Sequence, residues 1–137
     1  MELTLQSLEA SRAQLYRKIE ALGDFRRGTI SVNYRKCGKS NCACAQKDHP
    51  GHGPQYLWNA SVGGKTVARN LPLGPELEKM EREVEQYREF DRLCQELVEV
   101  NCQICNLRPV TVIKDENELE QLKKKLRTHF ARKRSKR

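Results

Sequence analysis

Three cysteines fall within eight residues, Cys37-x4-Cys42-x-Cys44, and two histidines, His49 and His52, follow within another eight. Thiolate is a soft donor that favours zinc, and a structural zinc site closes a tetrahedron with four N or S ligands. Three Cys and one His meet that count inside sixteen residues. The stretch around them is rich in turn formers, Gly38, Asn41, Pro50, Gly51, Gly53 and Pro54, so the chain must wrap here rather than continue as helix or strand. The fourth ligand is His52 or His49. His52 stands directly before an extended segment that would fix its position, whereas His49 sits mid-loop in Asp48-His49-Pro50, and His52 is the better placed. A catalytic zinc needs an open position and a nearby base. Asp48 is the one carboxylate in the cluster, so the site reads as structural and no enzyme is expected.

The rest of the chain shows why such a clamp would be useful. Only 37% of the 137 residues are hydrophobic and 6% aromatic, against 32% charged, which makes for a lean core in need of a metal, helix pairing or a partner. Period-two alternation predicts three strands: Gly28–Arg35, about Gln55–Val62, and Lys65–Leu71. Gly63-Gly64 between the last two is a hairpin turn, and it sets Tyr56 opposite Leu71, Trp58 opposite Arg69 and Ala60 opposite Val67. The Trp58–Arg69 pair is expected to cover the sheet; Trp58 and Tyr56 become base-stacking candidates only if their face is open.

Helices flank this β module. Residues 2–22 form an amphipathic helix with Leu8, Leu15 and Leu22 seven apart, Leu5 and Ile19 beside them, Arg12 breaking the second seam, and Gly23 as the residue after the cap. Pro75 opens a long helix whose stripe runs from Leu77, Met80 and Val84 through Tyr87, Phe90, Cys94 and Leu97 to Ile104, with Asn101 as a polar position able to set register. Cys94, Cys102 and Cys105 read as small apolar residues on that helix seam, since Cys94 lies about 12 Å from Cys102 along the axis. Arg108-Pro109 ends the helix. After a short connector, Asp115 and Glu118 begin an amphipathic helix with Leu119, Leu122, Leu126 and Phe130. The fold class is therefore α+β: an N-terminal helix (1–24), a three-stranded antiparallel sheet with a zinc-clamped loop (25–73), a long central helix (74–107), a connector with a basic C-terminal helix (108–130), and a disordered basic tail (131–137).

Charge limits the partner. Nine of the 26 basic residues lie between Lys123 and Arg137 with no acid among them; without these nine the body carries 17 basic and 18 acidic residues. The locally basic stretch 24–50 adds a second cationic region. Two such regions on a neutral body point to a polyanion, most directly DNA or RNA. The residues expected to meet it are Arg26, Arg27, Arg35, Lys36, Lys39 and Lys47 in the β module, and Lys123, Lys124, Lys125, Arg127, Arg132, Lys133 and Arg134 in the tail. No apolar run spans a bilayer and the opening residues lack an apolar leader, so a cytoplasmic protein with reduced thiols is expected.

The segments Tyr34-Arg35-Lys36-Cys37-Gly38-Lys39-Ser40-Asn41-Cys42-Ala43-Cys44, His52-Gly53-Pro54 with Tyr56, and Gly64-Lys65-Thr66 with Arg69 and Leu71-Pro72 resemble a family of small prokaryotic proteins associated with transposable elements and catalogued as a domain of unknown function. The resemblance covers about residues 27–100. It implies His52 rather than His49 as the fourth ligand, because His-Gly-Pro is the family element. The expected function is a zinc-stabilised nucleic-acid-binding accessory protein acting with a transposase or similar mobile-element machinery. The alternative is a protein-interaction adaptor, a homodimer or heteromer built through the long helices, in which zinc only staples the sheet.

Overall fold

The computed structural model describes residues 3–136; the first residue of the expected N-terminal helix and the last residue of the tail, Arg137, lie outside the described residues. In chain order the elements are α1 (Leu5–Glu20), β1 (Thr29–Arg35), a single 3-10 turn (Ala43–Ala45), β2 (His52–Val62), β3 (Lys65–Leu71), α2 (Pro75–Leu107) and α3 (Glu116–Ser135). They fall into two units, residues 1–105 and 106–137. No helix among the described residues is long and apolar enough to cross a membrane.

In the first unit α1 starts at a reciprocal cap. The Ser7 N–H donates to Thr4 Oγ1 and the Thr4 N–H to Ser7 Oγ, each at 3.1 Å. The heptad leucines Leu8 and Leu15 are buried, as are Met80, Val84, Leu93 and Ile104 of α2. Each such side chain removed from water contributes about 1.5–3 kcal/mol, so the two helices supply most of the side chains whose burial stabilises this unit. The two polar interruptions answer each other: Arg12 Nη1 donates to Asn101 Oδ1 at 3.1 Å, and Asn101 donates back to its own helix at Leu97 O, 2.9 Å. Further along, Arg92 first and then Lys18 of α1 hold the Glu89 carboxyl below its usual range. With Arg12 beside Asn101 and Lys18 beside Glu89, the helices run antiparallel. Helix α1 ends at Glu20 with Ala21 as its cap, and Gly23 lies two residues beyond without a left-handed φ, so it is not the terminating residue expected from sequence.

The return segment closes on α2 through aromatic and ionic contacts. Phe25 stacks on Phe90 (4.7 Å, 12°) and tilts against Tyr87 (6.1 Å). Arg26 Nε then meets Glu83 Oε1 at 3.1 Å while Lys79 Nζ meets Oε2 at 2.8 Å. Glu83 is the one buried charged residue among those described, and Lys79 first, with Arg26, keeps its carboxyl low.

The sheet is antiparallel in the order β1-β2-β3. Its β2–β3 register is the one read from sequence, Tyr56 with Leu71, Trp58 with Arg69 and Ala60 with Val67, turned at Gly63 and Gly64 with φ of +56° and +80°. Strand β2 begins three residues earlier than expected, at His52, which pairs with Arg35 across an irregularity between Asn33 and Arg35. Alternation puts Ile30, Val32, Tyr56, Trp58, Ala60 and Leu71 on one face. That face meets the start of α2: Ile30, Val32 and Tyr56 share a groove with Leu73 and Leu77, and Ala60 and Leu71 are buried.

The second unit is a connector and α3. Asp115 Oδ1 caps the helix by accepting from Asn117 N–H at 3.0 Å, one residue short of the bond expected in a capping box. Helix α3 buries no residue and continues to Ser135, past Ala131 where a disordered tail was expected. Ala, Arg and Lys are good helix formers, and Arg132, Lys133 and Arg134 complement the negative end of the helix dipole.

Candidate metal centre

Residues 36–51 fold over the open end of the β1–β2 pair. The ladder anchors both sides, because Arg35 and His52 are register partners: Cys37 leaves β1 two residues after Arg35, and His52 opens β2. Gly51 makes the approach possible. At φ +112° it packs so close to β1 that a Cβ would stand 2.7 Å from the Arg35 carbonyl carbon. Within the loop, the Cys42 carbonyl caps the 3-10 turn by accepting from Ala45 N–H at 3.0 Å, and Cys44 lies inside the turn, 1% exposed. Lys36 Nζ bonds Gln46 O at 3.1 Å and ties the loop back to its own stem.

These placements bring four donor atoms together. The Sγ atoms of Cys37, Cys42 and Cys44 and a ring nitrogen of His52 all lie within 4.8 Å of one another. Cys37 Sγ is 3.5 Å from Cys44 Sγ, and Cys42 Sγ is 3.3 Å from His52 Nε2. The edges of a tetrahedral zinc site with three sulfurs and one nitrogen are about 3.5–3.8 Å, so the donor set and its spacing fit a metal of that kind. The cluster could hold a metal ion. His49 is excluded from it: its Nδ1 accepts the Gly51 N–H at 3.0 Å, inside its own turn.

The thiols are not equivalent. A hydrogen bond from the Lys39 backbone, followed by contacts with His52 and Cys44, brings the Cys37 thiol down to about 6. Cys44 accepts the Cys37 N–H at 3.5 Å, which favours its thiolate, but burial and the neighbouring thiols outweigh this and raise it. Cys37, at the exposed edge, thus becomes a thiolate before the buried Cys44. Among the described residues Cys94, Cys102 and Cys105 join no such cluster. Cys94 is half-buried as a seam residue would be. Cys102 and Cys105 are exposed instead, because they turn away from the side that carries Leu93 and Ile104.

The basic residues divide sharply. From Phe25 to Pro75 the only acid is Asp48, against eight Lys or Arg. Arg26 and Arg69 are engaged internally: Arg26 on Glu83 and on the Trp58 ring at 5.5 Å, Arg69 on Glu76. Arg26 therefore does not belong with the outward-facing cations. Arg27 is exposed and donates to Ser61 O at 3.4 Å, while Arg35, Lys36, Lys39 and Lys47 are exposed around the metal loop. Lys65, which sequence reasoning passed over, is exposed at the hairpin end; a local charge count by strand would have included it. On α3, Lys123, Lys124, Lys125, Arg127, Arg132, Lys133 and Arg134 are all exposed, with Lys123 near Glu120 (3.4 Å) and Lys133 over Phe130 (5.9 Å). Trp58 is not a free stacking platform. Its indole N–H donates to Arg27 O at 2.9 Å, Arg26 covers its ring, and Tyr56 shares the α2-facing side of the sheet.

The family model described as "Domain of unknown function (DUF6788)" matches residues 5–82, more than half of the chain, and the chain belongs to that family. The match takes in α1, the whole sheet with its Cys/His loop, and the opening turns of α2, a span that starts and ends earlier than the resemblance read from the motifs. No curated protein and no solved structure matches the chain.

Proposed function

We propose that this member of the DUF6788 family is a zinc-stabilised nucleic-acid-binding accessory protein that works beside a transposase or another mobile-element nucleoprotein. Zinc held by Cys37, Cys42, Cys44 and His52 would supply a closed, redox-inert cross-link between the two strand ends and the loop. Four protein donors leave no coordination position for a substrate, so the reading is structural and assigns no catalytic step. Thiol ligands require a reducing compartment, which favours the cytoplasm.

The observation that carries the reading is the unbalanced charge around the loop. Arg35, Lys36, Lys39 and Lys47 are exposed there and form no salt bridge among the described residues, and Asp48 is the only acid nearby in sequence. These cations would displace counterions condensed on the phosphates, and α3 would add affinity independent of sequence. The test is a fluorescence anisotropy titration of the full chain with labelled duplexes and single strands, from about 50 to 200 mM salt. Affinity should fall steeply with salt. Replacing Lys123, Lys124, Lys125 and Arg127 together by Gln should flatten the slope, by roughly one unit for each phosphate no longer engaged. No binding by the full chain at the lowest salt would end the reading.

One observation favours a second reading, an adaptor assembled through helices. Helix α3 presents Leu126 and Phe130 at 42% and 59% exposure and buries nothing, as a helix awaiting a protein partner would. Self-association without nucleic-acid affinity, measured by sedimentation, would put this reading first.

A further inference from the structure

The two faces of the sheet differ in a way the metal loop does not explain. Alternation sends Ser31 and Asn33 of β1, Gln55 and Asn59 of β2, and Thr66 and Asn70 of β3 to the face opposite α2. None of these six is buried. Two of their hydrogen bonds confirm that they share a surface: Asn59 Nδ2 donates to Ser31 Oγ at 3.2 Å, and Asn33 Nδ2 to the same oxygen at 3.3 Å. Neither amide oxygen accepts a hydrogen bond among the described residues. No strand carries an Asp or Glu. Arg35 lies at the loop end of the sheet, beyond the irregularity in β1, and Arg27, bonded to Ser61 O, lies at the hairpin end.

A solvated sheet face usually mixes charges of both signs to stay soluble and unpaired. This one carries amides and hydroxyls and no carboxylate, and an exposed arginine stands at each end of the sheet. We propose that this open face is the surface that meets the nucleic acid, and that its ligand is double-stranded DNA entered from the major groove. The inference rests on the nucleic-acid reading above and locates its contact surface. The B-form major groove, roughly 12 Å wide, admits a two-stranded ribbon, and two adjacent strands of this face about 4.8 Å apart fit within it. Asn and Gln are the side chains that pair with the adenine edge, arginines at the ends reach phosphates or guanine, and Leu57 on the same face suits a thymine methyl. The A-form RNA major groove is too deep and narrow for a sheet. Single strands need several exposed aromatic platforms in a row; two of the sheet's three aromatics, Tyr56 and Trp58, are on the other face, which leaves Tyr34 at the irregular end of β1 by itself.

The experiment compares full-length wild type, Gln55→Glu, Thr66→Glu and Gln14→Glu for binding to a DNA duplex, its single strand and the matching RNA duplex at one salt concentration. Gln14→Glu makes the same change on the exposed surface of α1 and serves as the control. Far-UV circular dichroism and metal content establish folding, and Thr66, on β3 and away from the metal loop, keeps the test valid should Gln55→Glu disturb the neighbouring His52. Wild type should prefer the DNA duplex, each sheet variant should bind it about tenfold more weakly, and the control should match wild type. Sheet variants that bind as wild type does overturn this assignment and leave the nucleic-acid reading standing. Equal or tighter binding of single strands or RNA duplex overturns the groove assignment alone. Binding of no nucleic acid by wild type refutes both.

Discussion

The helix pair and the Cys/His loop are built in opposite ways. Helices α1 and α2 bury Leu8, Leu15, Met80, Val84, Leu93 and Ile104 along a stripe, and Arg12 with Asn101 sets their register. The loop 36–51 buries one apolar side chain, Cys44, which is itself a candidate ligand. Its backbone bonds are those of short turns, and these rarely hold sixteen residues in one conformation against chain entropy. The loop thus has no core of its own but a cluster of donor atoms that could hold a metal ion, whereas the helix pair has a core and few polar cross-links.

This contrast can be broken from either side. The largest effect should follow from removing the metal. Cys42→Ser, or chelation of the wild type, should release one zinc equivalent and open the loop to proteolysis while most helical ellipticity at 222 nm survives. If the purified chain holds no stoichiometric metal and the variant loop resists protease equally, the loop is ordered by something else. Leu93→Ala should do the converse, costing about 2–5 kcal/mol in chemical denaturation while leaving metal content unchanged.

A smaller effect sharpens the boundary between the two regions at Glu83, where Arg26 from the β module enters the helix pair. Glu83→Gln should cost about 1–2 kcal/mol near neutral pH, since it weakens two ion pairs around a buried carboxylate. The folded-state pKa of Glu83 is depressed, by Lys79 first and then Arg26. Its contribution is therefore complete above the ordinary carboxylate range and disappears as pH falls through the lower folded value. The difference in Tm between wild type and variant should accordingly shrink on acidification below about pH 4. A difference that stays constant with pH would mean the ion pairs contribute nothing.

Much of the fold was legible because its signals are local. The Gly63-Gly64 turn sets the β2–β3 register within a few residues, Pro75 starts α2, and the Cys and His spacing picks out Cys37, Cys42 and Cys44 with His49 or His52 as the fourth donor. What was not legible depended on partners far away in sequence. Arg26 looked like a free cation until Glu83, fifty-seven residues on, was placed beside it. Trp58 looked like a possible stacking surface until the Arg27 carbonyl and the Arg26 guanidinium were seen to occupy it. The early start of β2 was hidden because Gly53-Pro54 reads locally as a loop, yet pairing with β1 draws His52 into the ladder.

By itself the sequence determined the donor set, the period of each segment and the charge of each region, since all three are properties of residue type and spacing. The tertiary structure decided which histidine faces the thiols, which cations remain available and which side of the sheet is left to solvent. Those outcomes turn on which groups from distant parts of the chain come within a few ångströms of one another, and hydrogen bonding, ion pairing and ligation act over only that range.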